Sequence, residues 1–431
     1  MAIPENAYLN QQSITLVHQF FRFPEEPGIQ RPFRIATALS GLDWNVRVIS
    51  SLPPSANLSR QNARAVESSQ MLSVTRFPHR YSQEMGEWSR IWSYLGFGLR
   101  TIMQALANPT DVVYASSGPL SVIFPAIAMK LVKKTKVILE IRDEWPRVAI
   151  ALGFLKNPIA RFLASLLEKV SLNIADTIIV ASPDMVTRTR EKLFQSKPIH
   201  VVTNIADSSA HQPSLPVNLD LLLPEKFLIY AGSFGRSNGT EYLLEIASRL
   251  RDVSSDLAVV AVGEGQYWQE TKSRAQKSGL LGKSYFQFGS LPADVRSQLI
   301  QQSRGCLSTF APVEELSANS ANKFFDALAA GKPVVINYNG WQAKIVKEWK
   351  IGLVLPSDPG QIDPEKIVSY FDDSAGLETA ATNSKALGEQ FFSIPVVSDH
   401  LNMILTQLVG QTNQTSWNNP CDHIMCHLAT G

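Results

Sequence analysis

Residues 319–335 read NSANKFFDALAAGKPVV, and the fold turns on how this stretch is understood. It reads as a loop, a helix and a strand. Asn322 suits an N-cap, because its side chain can accept from the first free N–H groups of a helix. Phe324, Phe325, Leu328 and Ala329 then form an apolar face at helical spacing, and Gly331 ends the helix. Lys332 and Pro333 turn the chain into Val334-Val335-Ile336, a short buried strand. Two charges fall in the first turns. A helix N-terminus attracts anions, and Lys323 adds a full positive charge there. Asp326, one turn on, is placed to accept hydrogen bonds from a sugar diol. The pattern fits a nucleotide-diphosphate cradle. By itself it fits more simply an ordinary αβ unit with a solvated lysine and aspartate.

On either side the chain repeats the same alternation. Before it, strands are expected at 227–231, 257–262, 286–288 and 306–310, with helices at 240–251, 268–279 and 293–302. After it come a strand at 353–355 and a helical stretch at 377–408. A separate series opens the chain: strands at 14–17, 45–50, 112–115, 137–141, 177–181 and 199–203, with helices at 30–40, 120–132, 158–175 and 183–194. Residues 51–72 carry no period and read as loop. The strands are continuous apolar runs rather than alternating ones, as in a parallel sheet covered on both faces. The expected class is α/β, with two doubly wound Rossmann-like domains at 1–207 and 226–376. A Pro/Ser/Leu-rich linker at 208–225 joins them, helices follow at 377–410, and 411–431 reads as a polar, disordered tail. Ligands of such sheets bind beyond the carboxyl ends of the strands, so a site in a cleft between the halves is expected.

A chain of 431 residues suits two domains. Its 45% hydrophobic and 18% charged residues suit soluble cores, and a net charge of +2 does not point to nucleic acid. The three cysteines, Cys306, Cys421 and Cys426, make no disulfide framework, and a cytoplasmic location is expected. The first thirteen residues lack a basic n-region, and no run reaches the length of a membrane span. Cys421, His423, Cys426 and His427 are soft ligands, but their spacing matches no usual zinc site, so no metal site is assigned. Residues 88–106 (WSRIWSYLGFGLRTIMQAL) read either as a helix packed on its own sheet, the preferred reading, or as a membrane-surface helix with aromatic anchors.

Three glycine-bearing strand ends could meet a nucleotide. In 230–239 (YAGSFGRSNG), Gly232, Ser233, Gly235 and Asn238 form a loop whose backbone can approach a phosphate, and Arg236 can supply charge. A flexible turn is an equal reading, because the spacing is neither GxGxxG nor a Walker loop. Gly263 and Gly265 form a second pair, and the backbone at Gly289 could bond a base. In the first half, 140–146 (EIRDEWP) crowds charges at a strand's carboxyl end. They are either an ion-pair network or an active-site wall, and their place favours the wall. Gly28, ahead of Arg31-Pro32, could face phosphate.

Nine short matches fall in order over roughly residues 14–400: GIQRPFRIATAL, DVVYASSGPL, EIRDEWPRVAIALG, ADTIIVASPDM, VVTNIAD, YAGSFGRSNG, VGEG, FGSLP and SANKFFDALAAGKPVV. Together they resemble the GT-B glycosyltransferases of family 4, especially the fucosamine-transferase-like bacterial group that builds O-antigen, capsule and exopolysaccharide. The resemblance implies an acceptor-binding N-terminal domain, a nucleotide-sugar-binding C-terminal domain and final helices that return to the first domain. It implies a retaining, metal-independent transfer with no cofactor beyond the nucleotide-sugar, for which UDP is preferred to GDP on family habit. Asp326 stands where the second acid of the Glu-x7-Glu motif holds the ribose. Gly28 stands in the loop that meets the diphosphate, and Arg142-Asp143 where many members have His-Asp near the transferred sugar. The first motif acid is absent, since its position is Ala318. Ser233 and Asn238 replace the usual Arg and Lys of the glycine loop. Lys323 and Arg236 are therefore expected to hold the diphosphate, with Asn322 beside them. The expected acceptor is a saccharide, lipid-linked, at the inner face of the plasma membrane, with the 88–106 helix and Lys130, Lys133, Lys134 and Lys136 toward the headgroups. A binding subunit without transfer activity, or an epimerase of similar fold, are the alternatives.

Overall fold

The computed structural model describes residues 12–24, 26, 28, 30–52, 71–79, 81, 85–208 and 222–410. The tail at 411–431, with its cysteines and histidines, and most of the linker lie outside the described residues. The described residues divide into two units: those up to Thr203 together with those from Pro395 on, and Asn204–Ile394.

The first unit is built on a parallel sheet of seven strands: β1 (Ser13–Val17), β2 (Asn45–Ser51), β3 (Leu72–Phe77), β4 (Val112–Ser116), β5 (Lys136–Ile141), β6 (Thr177–Val180) and β7 (Ile199–Val201). Their order in space is β3-β2-β1-β4-β5-β6-β7. The order reverses between β1 and β4, which pair Ile14 with Val112 and Val17 with Ala115. Inner strands such as β4 and β6 are buried at every position. Their unbroken apolar runs follow from helices covering both faces.

β3 is a strand that the sequence leaves unassigned, beginning at the last residue of the expected 51–72 loop. It lies at the sheet edge, and its LSVTRF alternates with only Leu72 and Val74 buried. An edge strand needs no continuous apolar run, so its signal is weak. From Pro395 onward the chain joins this unit, where the ring of His400 meets that of His200 at 6.0 Å.

The second unit holds a six-stranded parallel sheet: β8 (Lys226–Ala231), β9 (Leu257–Val262), β10 (Tyr285–Phe288), β11 (Gly305–Ser308), β12 (Val334–Ile336) and β13 (Gly352–Val354). The order is β10-β9-β8-β11-β12-β13, with the reversal between β8 and β11. The stretch that opens the reading forms the helix Asn322–Ala329 between β11 and β12. Phe324, Phe325, Ala327 and Leu328 are buried, with Ala329 at the edge of that face. Phe325 packs on Phe324, Trp341 and Phe392 at ring distances of 5.4, 6.1 and 5.1 Å. Burying each phenylalanine contributes about 1.5–3 kcal/mol, so the helix is held by packing rather than by its own short length.

Three local expectations change. Asn322 is the first helical residue and not the cap; Ala321 takes the extended cap conformation, and no side chain caps the helix. Helices at Trp341–Glu348 and Pro364–Asp372, unmarked in the sequence, cover the second sheet. The last helical stretch is two helices, Ser374–Phe391 and Ile394–Val409.

Candidate functional site

In the second unit the residues of interest gather beyond the carboxyl ends of β8 and β11, at the reversal of strand order. Chains leaving on opposite sides of a reversal open a crevice for ligands. The glycine loop follows β8. The helix Asn322–Ala329 follows β11, and from its first turn Lys323 reaches the glycine loop. Its Nζ donates to Asn238 Oδ1 at 3.0 Å and stands 5.0 Å over the ring of Tyr230. Gly232 admits the lysine stem: a Cβ there would lie 2.5 Å from Lys323 Cε. A lysine can only donate, so the oxygen of the Asn238 amide must face it, leaving Nδ2 to donate to Ser233 Oγ at 2.9 Å.

This arrangement is tied to the sheet. Asn238 O accepts from Thr309 Oγ1 at 2.7 Å, and the N–H of Ala311 bonds Ser237 O at 3.0 Å. Asn337 spans both directions, accepting from Phe310 N at 2.8 Å and donating to Phe310 O at 2.9 Å. Tyr230, Thr309 and Asn337 escape a motif search because each acts through its neighbours. The only trace of Tyr230 is its place two residues before the first glycine.

Lys323 is half-buried, and burial lowers its pKa to about 8, with the nearby Asp326 opposing the shift. Asp326 sits one turn below, half-buried, near enough to act on that charge. Asn322 opens the helix and Arg236 is exposed in the short turn Arg236–Asn238 of the glycine loop. The second glycine pair has a structural cause. Gly232 N donates to Val262 O and Phe234 N to Glu264 O, so the loops after β8 and β9 run in backbone contact. At Gly263, with φ of 145°, any Cβ would strike Gly232 O. Near Gly289 part of the backbone is already engaged, since Ser290 N donates to Glu264 Oε1 at 3.3 Å. Ala318 is buried and apolar in the turn Glu314–Ala318, and offers no acid there.

In the first unit the crowded 140–146 segment divides into two kinds of residue. Glu140 is buried and structural. Its Oε1 accepts from Arg31 Nη2 at 2.6 Å and Nε at 3.0 Å, and from Tyr114 Oη at 2.9 Å; Ser116 Oγ bonds its other oxygen. Burial would raise its pKa, but Arg31 and Ser116 hold it below the ordinary range. Glu144 pairs with Arg188. For these two glutamates the active-site wall gives way to an ion-pair network. Arg31 faces that network too, donating to Val202 O and Thr203 O, so it is not available to phosphate.

Arg142 and Asp143 are half-buried beyond the end of β5. Arg142 Nη1 donates to His18 Nε2 at 3.2 Å. His18 Nδ1 lies 3.2 Å from Ser116 O, which can only accept, so Nδ1 carries the proton and Nε2 is the acceptor. Burial, then the charge of Arg142, lowers the His18 pKa to about 3, and the ring stays neutral at physiological pH. Burial raises the Asp143 pKa, with Arg142 opposing. Gly28 is exposed with φ of 134°, and a Cβ there would touch the stem of the buried Arg22 at 3.0 Å.

Two family models match the chain. Residues 30–204 match that of the glycosyl transferase 4-like domain, and residues 216–374 that of glycosyl transferases group 1. Over 272 residues the chain is 25% identical to a protein of Escherichia coli (strain K12) named "Putative colanic acid biosynthesis glycosyl transferase WcaI". The match covers 58% of this chain and 62% of that relative. The solved sucrose-phosphate synthase of Thermosynechococcus elongatus is similar in fold, with a TM-score of 0.72 at 15% identity over 93% of this chain and 100% of that one. HepE of Anabaena, solved in complex with UDP-glucose, has a TM-score of 0.65 at 15% identity over 92% and 99%.

Proposed function

The chain belongs to the GT-B glycosyltransferases of the family 4 type, and on that premise we propose that it moves a sugar, with retention, from a nucleotide-sugar to a saccharide acceptor in cell-surface polysaccharide synthesis. The observation that carries this reading is Lys323, whose Nζ stands at the glycine loop 3.0 Å from Asn238 Oδ1. The loop has Ser233 and Asn238 where a basic pair is usual, and Lys323 brings a cation to that place from the neighbouring helix. The uncapped N-terminus of the same helix adds free N–H groups. Lys323, with Arg236 and these N–H groups, would hold the diphosphate, and Asp326 the ribose hydroxyls.

In the transfer the bond from the anomeric carbon to the diphosphate oxygen breaks, and the acceptor hydroxyl bonds to that carbon on the same face. The acceptor proton passes to the leaving β-phosphate. Fixed positive charge on the leaving group is what accelerates such a step, and it is the charge that Lys323 supplies. Arg142 and Asp143 would contact the transferred sugar. UDP is the favoured carrier, in line with the UDP-glucose held by HepE. The acceptor would be lipid-linked, with the protein at the inner face of the plasma membrane.

Calorimetry with UDP and GDP, followed by a donor-hydrolysis assay with and without EDTA, tests the reading. Tighter UDP binding and an EDTA-insensitive turnover are expected. Binding with neither hydrolysis nor transfer would instead make the chain a nucleotide-sugar-binding partner, as the loss of acid at Ala318 would allow.

A further inference from the structure

His18 is a buried titratable group that the transfer itself does not use. It stands just past the carboxyl end of β1 at 0% exposure, against Arg142 beyond the end of β5. The ring cannot serve as a base. Its one acceptor nitrogen, Nε2, is taken by Arg142 Nη1 at 3.2 Å, and Nδ1 is spent on Ser116 O at 3.2 Å. Burial and the charges of Arg142 and Arg22 keep a second proton off the ring, with Glu140 opposing them.

The mount of this histidine is rigid. His18 N donates to Ile49 O at 3.1 Å. The carbonyl of Gln19 accepts from Ser51 N at 3.1 Å, Ser50 Oγ at 3.0 Å and Ser51 Oγ at 2.6 Å. Ser116 ends β4, the strand that meets β1 at the reversal of order. Ser117, buried beside it, donates its N–H to Glu140 O at 2.8 Å, and its hydroxyl accepts from Arg142 N at 3.0 Å. Arg142 is thus held twice, by Ser117 at the backbone and by His18 at the guanidinium.

That hold leaves one edge of the guanidinium unspent. With Nη1 turned to His18, Nε and Nη2 share the opposite edge. Among the described residues neither Nε, which is buried, nor Nη2 donates to an acceptor. Two parallel donors in one plane suit two neighbouring oxygens. A fork already fixed in the free protein loses less freedom when those oxygens arrive.

We propose that His18 and Ser117 are positioning residues, which fix Arg142 so that its Nε–Nη2 edge meets two neighbouring oxygens of the transferred sugar. This rests on the reading that Arg142 contacts that sugar, and adds what aims it.

The test uses the full chain labelled with heavy nitrogen in histidine and arginine and observed by NMR. Loss of a signal in His18→Gln and in Arg142→Lys identifies the two side chains. In the wild type, His18 is expected as the neutral Nδ1–H tautomer from pH 5 to 8, where a free imidazole titrates. Arg142 Nε–H is expected as a sharp signal that UDP-glucose shifts and UDP does not. His18→Leu has no acceptor and should broaden that signal. His18→Gln should keep it, because its amide can accept from Arg142 and donate to Ser116 O. Ser117→Ala, the milder change, should broaden it as well, and it serves alone if His18→Leu does not fold. Where UDP-glucose is hydrolysed, His18→Leu and Ser117→Ala should lower kcat by about tenfold or more with UDP affinity unchanged, and His18→Gln should restore most of the rate. An Nε2–H tautomer, a ring that titrates in this range, or an Arg142 signal that stays sharp in the variants overturns the proposal. Equal shifts with UDP and UDP-glucose, or none with either, overturn it too. A shift with UDP-glucose alone, but no turnover by the wild type, leaves the positioning pair and removes the transferase reading.

Discussion

Replacing Lys323 by alanine separates a binding role from a structural one. The fold holds this lysine half-buried with a pKa of about 8 against the ordinary 10.5. Keeping the charged form therefore costs about 3 kcal/mol, at one pKa unit to about 1.4 kcal/mol. The sign is clear. That cost is present in full below pH 8, where folded and unfolded chains are both protonated, and is absent above 10.5, where both are neutral. Truncation removes the cost along with three methylenes, which contribute about 0.8 kcal/mol each where buried. The two nearly cancel, so thermal stability at pH 7 should stay within about 1 kcal/mol of wild type.

Nucleotide binding should not be spared. A charged hydrogen bond to the diphosphate is worth about 1.5–3 kcal/mol, or about 10- to 150-fold in affinity. Calorimetric titration with UDP at pH 7 measures it. Because binding needs the protonated amine, wild-type affinity should fall as pH rises from 8 to 9, and Lys323→Ala should lose that slope. Unchanged UDP affinity in the variant refutes the assignment. A collapse in melting temperature with affinity intact would make Lys323 a structural residue of the glycine loop.

Three further outcomes are expected. Asp326→Ala should weaken UDP by about tenfold or more, the worth of a charged hydrogen bond, and change inorganic pyrophosphate binding far less, because the ribose contact is lost whereas Lys323 loses only a neighbouring charge. Gly232→Ala puts a Cβ 2.5 Å from Lys323 Cε and should push the lysine off the loop. UDP affinity should then fall by roughly 1 kcal/mol, about fivefold, and titration compares the two. Glu140→Ala strands Arg31 and Tyr114 in the core and should cost about 3–5 kcal/mol in denaturant unfolding. The wild-type carboxyl is held below its ordinary pKa, so its contribution is present above the unfolded value and is lost as pH falls through the folded one.

Much of the second unit is legible from residues near one another in the chain. The strand runs, Gly331 and the Phe324/Phe325 face all follow from period and propensity. The same local signals misplace the cap at Asn322, since Asn is favoured there but Ala321 holds the extended conformation. They also pass over β3, whose edge position asks for little hydrophobicity. In the 140–146 segment the charges are visible but not their partners. Arg31 lies 109 residues from Glu140, and only the paired sheet brings them to 2.6 Å.

What the sequence determined by itself is the architecture and the inventory: two Rossmann-like units, a glycine-rich strand end, and a lysine at the start of a helix. Period and backbone preference act within a few residues, and those suffice for it. Only the tertiary structure decided which of those residues meet. Lys323 and Asn238 are 85 residues apart and lie at 3.0 Å because β8 and β11 are neighbours in the sheet. It also decided which way each amphipathic helix faces. The apolar stripe of Pro158–Ile174 would be read as core from its spacing, yet the helix buries Ala160, Glu168, Ser171 and Leu172 and leaves that stripe exposed. Spacing gives a helix its faces, and the partners available across the fold choose which one is buried.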